Sequence, residues 1–476
     1  MDLALSYDDV LIVPKRSSIK SRKDVSTETF LTKNIKLKLP IISSNMDTVT
    51  EADMAICMAQ LGGIGIIHRF NTIEQQVEEV KKVKRYRNAI IEKPLTICPE
   101  ASLEEAKKHM KNHGVTSILV VEDDKLIGIL TRRDYRFNPP KNTLVKDLMT
   151  SKEKLVVANT QITIEEAKKI MLKHKIEKLP IIDAHWTLMG LITGKDIYNK
   201  TKFPDATVDK KDRLMVGAAI GVKQDSIKRT DALIKAGVDI IVIDIAHGHS
   251  DLAINMLKKV KKKFPTIPVI AGNVATPSGV KDLIDAGADC VKVGVGPGSA
   301  CTTRIVTGSG YPQLSAIIKC AEEADKYNIP IIADGGIRFP GDITKAIGAG
   351  ASTVMLGSLL AGTDESPGFP LIKNGKKFKV YRGMASYGAR LGRDAKENND
   401  NNNGNEVLDY TPEGVEALVP YRGSVTEVIK PLLGGLRSGM SYCGATCIHE
   451  LRGKAEFVRI TQAGVRESHP HDINQL

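Results

Sequence analysis

Aromatic residues are scarce in this chain: they make up 4% of its 476 residues, with a single tryptophan. That scarcity bears on the net charge of +12. Nucleic-acid binders cluster basic charge on one face, beside stacking aromatics or within a recognisable module. Here the lysines decorate helical faces, as over residues 77–87 and 257–263. A solvated basic surface is expected, with mild attraction for anionic nucleotides and no specific nucleic-acid site. No run of about 18 apolar residues occurs, so no membrane-spanning helix is expected. The seven cysteines are odd in number and scattered. They argue for reduced thiols and a cytoplasmic location rather than a disulfide framework. Cys443 and Cys447 have no second pair or histidine array at zinc spacing, so no metal cluster is expected there. The opening segment carries Asp2, Asp8 and Asp9 and no basic start, so no cleaved leader is expected. No GxGxxG follows an apolar run, which excludes a Rossmann dinucleotide fold.

The length suits about two to three domains. Eight short apolar runs read as buried parallel strands: 40–43, 63–67, 215–220, 240–243, 269–271, 291–295, 329–333 and 353–356. Amphipathic stretches such as 251–264 and 341–348 separate most of them. Eight strand–helix units predict an α/β fold of TIM (β/α)8 barrel type, with its chemistry at the C-terminal strand ends. The barrel is read as residues 1–91 and 206–476, interrupted by an insertion at 92–205.

The insertion contains a repeat. Residues 101–108, ASLEEAKK, return as 162–169, ITIEEAKK. Each copy runs on through a strand pair, 118–121 with 126–130 and 179–182 with 188–192. Each ends in Thr-x-x-Asp, at Thr131 to Asp134 and Thr193 to Asp196. A second irregular region spans 373–417. Its polar, asparagine-rich middle cannot bury enough apolar area to order itself alone, which predicts a lid or flap.

The segment GVGPGSACTTR, residues 294–304, carries the most chemical information. A strand runs into Gly294, Gly296, Pro297 and Gly298, and then one cysteine, Cys301, stands among small hydroxyl residues beside Arg304. Glycines let backbone approach a ligand closely. A thiol presented on such a loop suits a covalent nucleophile. Cys290 and Cys320 sit in apolar runs and read as structural.

The loop resembles the catalytic loop of the IMP dehydrogenase and GMP reductase family, and the likeness extends over nearly the whole chain. The inserted repeat resembles a tandem CBS pair, or Bateman domain. The family resemblance implies a purine nucleotide oxidoreductase acting at C2 of the base through a cysteine thioimidate. Cys301, Thr303 and Glu413 are then the catalytic set. A phosphate and ribose site is implied at Ser299, Asp334, Gly336, Gly357, Ser358 and Tyr381. Ser44, Met46, Gly383, Met384 and Ala385 would flank the base. Asp244, Asn273, Gly294 and Gly296 would face NADPH or NAD. A potassium ion is implied at Gly296, Gly298 and Cys301, completed by Glu467, Ser468 and His469 of a neighbouring subunit. Thr131, Asp134, Thr193 and Asp196 would hold regulatory ATP or GTP. The resemblance also implies a homotetramer, with an octamer as the alternative.

The branch within the family turns on the flap. Dehydrogenases place an Arg-Tyr pair there to activate water, whereas Arg390 and Arg393 are followed by Leu391 and Asp394, and Tyr410 follows Asp409. Asn45 and the run Tyr311-Pro312-Gln313-Leu314-Ser315-Ala316 are reductase-like. The CBS insertion, the Glu467-Ser468-His469 tail and the setting of Glu413 are dehydrogenase-like. GMP reductase, using NADPH, is the preferred reading and IMP dehydrogenase, using NAD, is the alternative. A weakly catalytic nucleotide-sensing assembly protein is the third.

Overall fold

The computed structural model describes residues 3–87, 90–397 and 411–470. The eight barrel strands are numbered here β1 (Ile41–Ser43), β2 (Ile64–Ile67), β3 (Gly217–Ile220), β4 (Ile240–Asp244), β5 (Val269–Val274), β6 (Cys290–Val293), β7 (Ile331–Asp334) and β8 (Thr353–Leu356). They pair in parallel in that order, and β8 pairs with β1 to close the barrel. A TIM barrel is thus the fold of this part of the chain. Apolar side chains of both strand faces are buried, one set inside the barrel and the other under the helices, which is why these strands read as continuous apolar runs.

The helices follow from one-sided patterning. Asp251–Lys263 buries Ala253, Met256, Leu257 and Val260, which fall on one face, and starts at an Ser250 cap. Its last turn carries Lys261, Lys262 and Lys263, favourable at the negative end of a helix.

The chain divides into two compact units: 1–86 with 205–209 and 214–476, and 87–204 with 210–213. The division falls a few residues from the expected one for physical reasons. Thr207 N–H donates to the Ala59 carbonyl at 2.8 Å and its own carbonyl accepts from Met215 N–H at 3.0 Å. Asp209 pairs with the buried Lys84 at 3.1 Å. These contacts sew residues 205–209 into the barrel unit. Arg87 instead pairs with Asp212 at 2.9 Å within the smaller unit.

In the smaller unit the repeat is visible as structure. Helices Leu103–Asn112 and Ile164–His174 both start in a capping box, Ser102 with Glu105 and Thr163 with Glu166. Each repeat builds its own apolar cluster, one around Leu103 and Ile118, the other around Ala167 and Leu179. The hairpins pair Ser117–Glu122 with Lys125–Thr131, and Lys178–Ile182 with Leu188–Thr193. Removing one cap should cost about 1 kcal/mol. Thr163→Ala is therefore expected to lower the thermal transition of the smaller unit, seen by calorimetry of the full chain. An unshifted thermogram would mean that water replaces the cap without loss.

Two further elements position the site. Strands Leu371–Lys373, Lys376–Arg382 and Glu416–Pro420 form an antiparallel sheet at the base of the flap. Lys379 anchors it: its buried ammonium donates to the carbonyls of Thr363 at 2.9 Å and Ser366 at 2.6 Å. The helix Tyr387–Glu397 continues the flap. The rest of the asparagine-rich stretch, with Asp409 and Tyr410, lies outside the described residues, as does the side chain of Arg393.

Candidate active site

The C-terminal strand ends surround a cavity of about 650 Å³. The loop after β6 brings Cys301 to its wall, half-buried. Burial pushes the thiols of Cys57 and Cys320 up to about 12, so neither is a nucleophile near neutral pH. Cys290 is raised as well, again chiefly by burial. Cys301 is the cysteine that faces this cavity.

A directional hydrogen-bond chain leads from it. The Cys301 thiol donates to Thr303 Oγ1 at 3.1 Å, and the Thr303 hydroxyl donates to Glu413 Oε2 at 2.8 Å. Backbone contacts fix the far end. Glu413 N–H donates to the Ala385 carbonyl at 3.1 Å, and its carbonyl accepts from Thr302 N–H at 2.9 Å. Gly383 approaches the cysteine loop so closely that a Cβ there would lie 2.7 Å from the Ala300 carbonyl oxygen. Flap and cysteine loop are thus one stitched unit.

Arg304 lines the same cavity and also braces the loop. Its guanidinium donates to the Val295 carbonyl at 3.3 and 3.4 Å and to the Tyr311 carbonyl. It holds the loop's shape while its charge still acts on Cys301.

The same cavity is lined by Ser44, Met46, Ser299, Asp334, Gly336, Gly357, Ser358, Tyr381, Gly383, Met384 and Ala385, and also by Asp244, Asn273, Gly294, Gly296 and Gly298. Residues from six strand ends and the flap therefore converge. Ser299 Oγ lies 3.4 Å from the Tyr381 hydroxyl, which lies 3.7 Å from Met46 Sδ. Burial raises the Tyr381 phenol and keeps it a neutral donor. Backbone N–H groups of Gly336, Gly357 and Ser358 stand where barrels commonly bind phosphate.

Glu467, Ser468 and His469 do not line this cavity; the His469 ring meets Phe339 edge-on at 6.0 Å. The Gly298 carbonyl accepts from Cys301 N–H at 3.0 Å, leaving it one lone pair for another ligand. His249, beyond β4, pairs with Asp282 at 2.8 Å. In the smaller unit each Thr-x-x-Asp holds itself. Asp134 accepts from Thr131 N–H at 2.6 Å and its hydroxyl at 2.8 Å, and the Thr193 hydroxyl donates to Asp196.

Sequence reasoning missed the largest buried side chain of the site. Lys292 of β6 is 2% exposed and lines the cavity floor. It donates to Asp334 Oδ2 at 2.8 Å, to Asp244 Oδ1 at 3.0 Å and to Asn273 Oδ1. Burial works against the charge on Lys292 and on Asp244. The Asp334 and Asp244 carboxylates outweigh it and hold the Lys292 ammonium above its usual range. Lys292, then Arg69, outweigh it at Asp244, whose pKa falls below the usual carboxylate value. The available signal was a lone cation inside an otherwise apolar strand.

Arg382, at the root of the flap, also escaped notice. It clasps Asp47 of the loop after β1, with Nε 2.9 Å from Oδ2. Asp47 is 7% exposed, so cutting this pair from one side should cost about 3–5 kcal/mol. Arg382→Ala is expected to lower the melting temperature and to raise the KM of a substrate bound in the cavity that Met384 and Ala385 line. Unchanged values of both would show that the flap base holds without the clasp.

Fold and cavity define a TIM-barrel protein with a relay-linked cysteine at the catalytic end of the barrel. The chain belongs to the IMP dehydrogenase / GMP reductase family, whose domain model matches residues 4–471. Members of that family are oxidoreductases. It is 52% identical to an inosine-5'-monophosphate dehydrogenase of Nitrosopumilus maritimus, over 98% of each chain. It is 49% identical to a GMP reductase of Leishmania major, over 99% of this chain and 97% of the relative. A crystal structure of a cysteine-to-alanine GMP reductase from Trypanosoma brucei with guanosine 5'-monophosphate is similar, with a TM-score of 0.94 and 46% identity over 100% and 99% of the two chains. The same enzyme with guanosine 5'-triphosphate gives 0.82 and 42%. Among the described residues no helix is long and apolar enough to cross a membrane.

Proposed function

We propose that the chain is a GMP reductase: GMP, NADPH and two protons give IMP, NADP+ and an ammonium ion. The Cys301–Thr303–Glu413 chain carries this reading. Addition of the Cys301 sulfur to C2 of GMP releases the thiol proton, which passes through Thr303 to Glu413. Returned along the same path, that proton makes the 2-amino group leave as ammonia, and C2 stays bound to sulfur as a thioimidate. A hydride delivered to C2 then breaks the carbon–sulfur bond and yields IMP. No water needs activating, which fits a flap without an Arg-Tyr dipeptide.

NADPH supplies the hydride when bound. Asp244 suits it because an ionised carboxylate accepts well from a ribose diol, and Gly294 and Gly296 leave room for close approach. Asp334 would take the ribose of GMP. Ser299, Tyr381, Gly336, Gly357 and Ser358 would take its phosphate. Ser44, Met46, Gly383, Met384 and Ala385 would border the base. A potassium ion at the carbonyls of Gly296, Gly298 and Cys301, completed by a neighbouring copy's Glu467–His469 segment in a tetramer or octamer, belongs to the same proposal. So does a tandem CBS reading of the smaller unit, with purine nucleotides at Thr131, Asp134, Thr193 and Asp196.

The test is nicotinamide absorbance at fixed potassium, with GMP and NADPH in one cuvette and IMP and NAD in the other. Steady NADPH loss with ammonia release supports the reductase. Steady NADH and XMP formation makes the chain an IMP dehydrogenase, the activity named for its Nitrosopumilus maritimus relative. Titration with ATP and GTP tests the CBS assignment, which fails if neither gives heat.

A further inference from the structure

We infer that Lys292 is a positioning residue serving two ligands at once, its single ammonium holding Asp334 and Asp244 as acceptors for two different ribose diols. This rests on the proposed reading that these two carboxylates face the purine nucleotide and the dinucleotide.

The geometry leaves little slack. An ammonium has three N–H donors, and Lys292 has three acceptors: Asp334 Oδ2, Asp244 Oδ1 and Asn273 Oδ1. Asn273 is fixed in turn, since its amide donates to Asp334 Oδ2 at 2.9 Å and to the Gly294 carbonyl at 2.8 Å. Both donors to Asp334 therefore take the same oxygen, Oδ2. Oδ1 remains for a ligand. Both carboxylates line the cavity, with side chains 21% and 17% exposed.

The charges explain why one lysine matters to both. Two carboxylates share the buried Lys292 ammonium, with Arg69 adding its charge on the Asp244 side. Without that ammonium, two like charges close together in a largely buried floor favour a proton on one of them. A protonated carboxyl gives up part of its acceptor capacity and turns donor. It no longer receives two ribose hydroxyls, and it is no longer aimed. Lys292 touches neither ligand in this scheme; it acts through Asp334 and Asp244.

Equilibrium binding tests this without turnover. In a Cys301→Ala background, GMP and 2'-deoxy-GMP are titrated with no dinucleotide present. Loss of one hydrogen bond to a charged acceptor should weaken the deoxy ligand about tenfold in the parent. In Lys292→Met the two ligands should bind alike, both more weakly than GMP binds the parent. Lys292→Arg should recover most of the discrimination. If Lys292→Met does not fold, Lys292→Gln, which removes the charge but keeps an amide donor in the floor, carries the same expectation. In the enzyme with Cys301 intact, Lys292→Met should raise the KM of both substrates, while Asp244→Asn raises that of NADPH alone.

Full discrimination retained in Lys292→Met overturns the inference, and so does a rise in only one KM. A parent that binds GMP and 2'-deoxy-GMP alike overturns it too, by removing Asp334 from the ribose. Failure of the reductase reading looks different. It appears in the absorbance assay as activity with IMP and NAD, and the titration then uses IMP and 2'-deoxy-IMP with the same expectations.

Discussion

Replacing Glu413 by glutamine should lower turnover of GMP with NADPH by about 10²–10⁴-fold, the range for a positioned proton donor and acceptor. The amide keeps the size of the carboxylate and can still accept from the Thr303 hydroxyl. It cannot store the proton that leaves Cys301. Glu413 is held by its backbone, through Ala385 on one side and Thr302 on the other, so the substitution should leave the cysteine loop in place. The melting temperature is accordingly expected to stay within a degree or two of the parent.

Thr303→Val breaks the chain in its middle and should cost about the same factor, because a relay with either half missing carries nothing. The double variant should then be little worse than either single one, as expected for groups that act as a unit. Thr303→Ser keeps the hydroxyl and should restore most of the rate. Single-turnover measurement separates the steps: ammonia release should slow in Glu413→Gln, with GMP binding unchanged. A Glu413→Gln enzyme within threefold of the parent would remove Glu413 from the proton path. Additive losses in the double variant would mean that Thr303 and Glu413 serve separate steps.

How far the sequence carries depends on the kind of signal. All eight barrel strands were legible because parallel barrel strands are buried on both faces and stand out as short apolar runs. Thr353–Leu356 falls where expected, and the other strands begin or end within three residues of the reading. The repeat was legible because its copies preserve capping and apolar spacing together. Lys292 was not, because its meaning lies in partners 48 and 42 residues away, brought beside it only by barrel closure. The Asp47–Arg382 clasp spans 335 residues and has no local pattern at all. Arg304 was half legible: its adjacency to Cys301 corresponds to an electrostatic interaction, while its hydrogen bonds to two backbone carbonyls leave no local mark. The end of the inserted unit was blurred because residues 205–209 are bound to the barrel by single contacts, to Ala59 and Lys84, that leave no compositional mark.

Gly294→Ala should be the most damaging glycine-to-alanine change among the described residues. Gly294 closes β6 and opens the cysteine loop with a φ of +149°, a region open in practice only to glycine. An added Cβ would sit 2.1 Å from the backbone carbonyl oxygen of Asp334, which no rotamer change can relieve. Backbone strain and overpacking together should cost about 3 kcal/mol or more. The relief available is to push the loop and the end of β7 apart, which separates Cys301 from Asp334. Activity should therefore fall more steeply than stability, with the KM of both substrates rising. Gly308 supplies the control. It lies in the same segment, at a φ of +70° with open space around it, so Gly308→Ala should cost about 1 kcal/mol and little activity. Thermal unfolding and steady-state kinetics on the two variants decide the matter. Equal losses at both positions would show that the whole loop tolerates displacement. A large loss confined to Gly294 would show that the join between β6 and β7 sets the distance across which Cys301 and Asp334 must work.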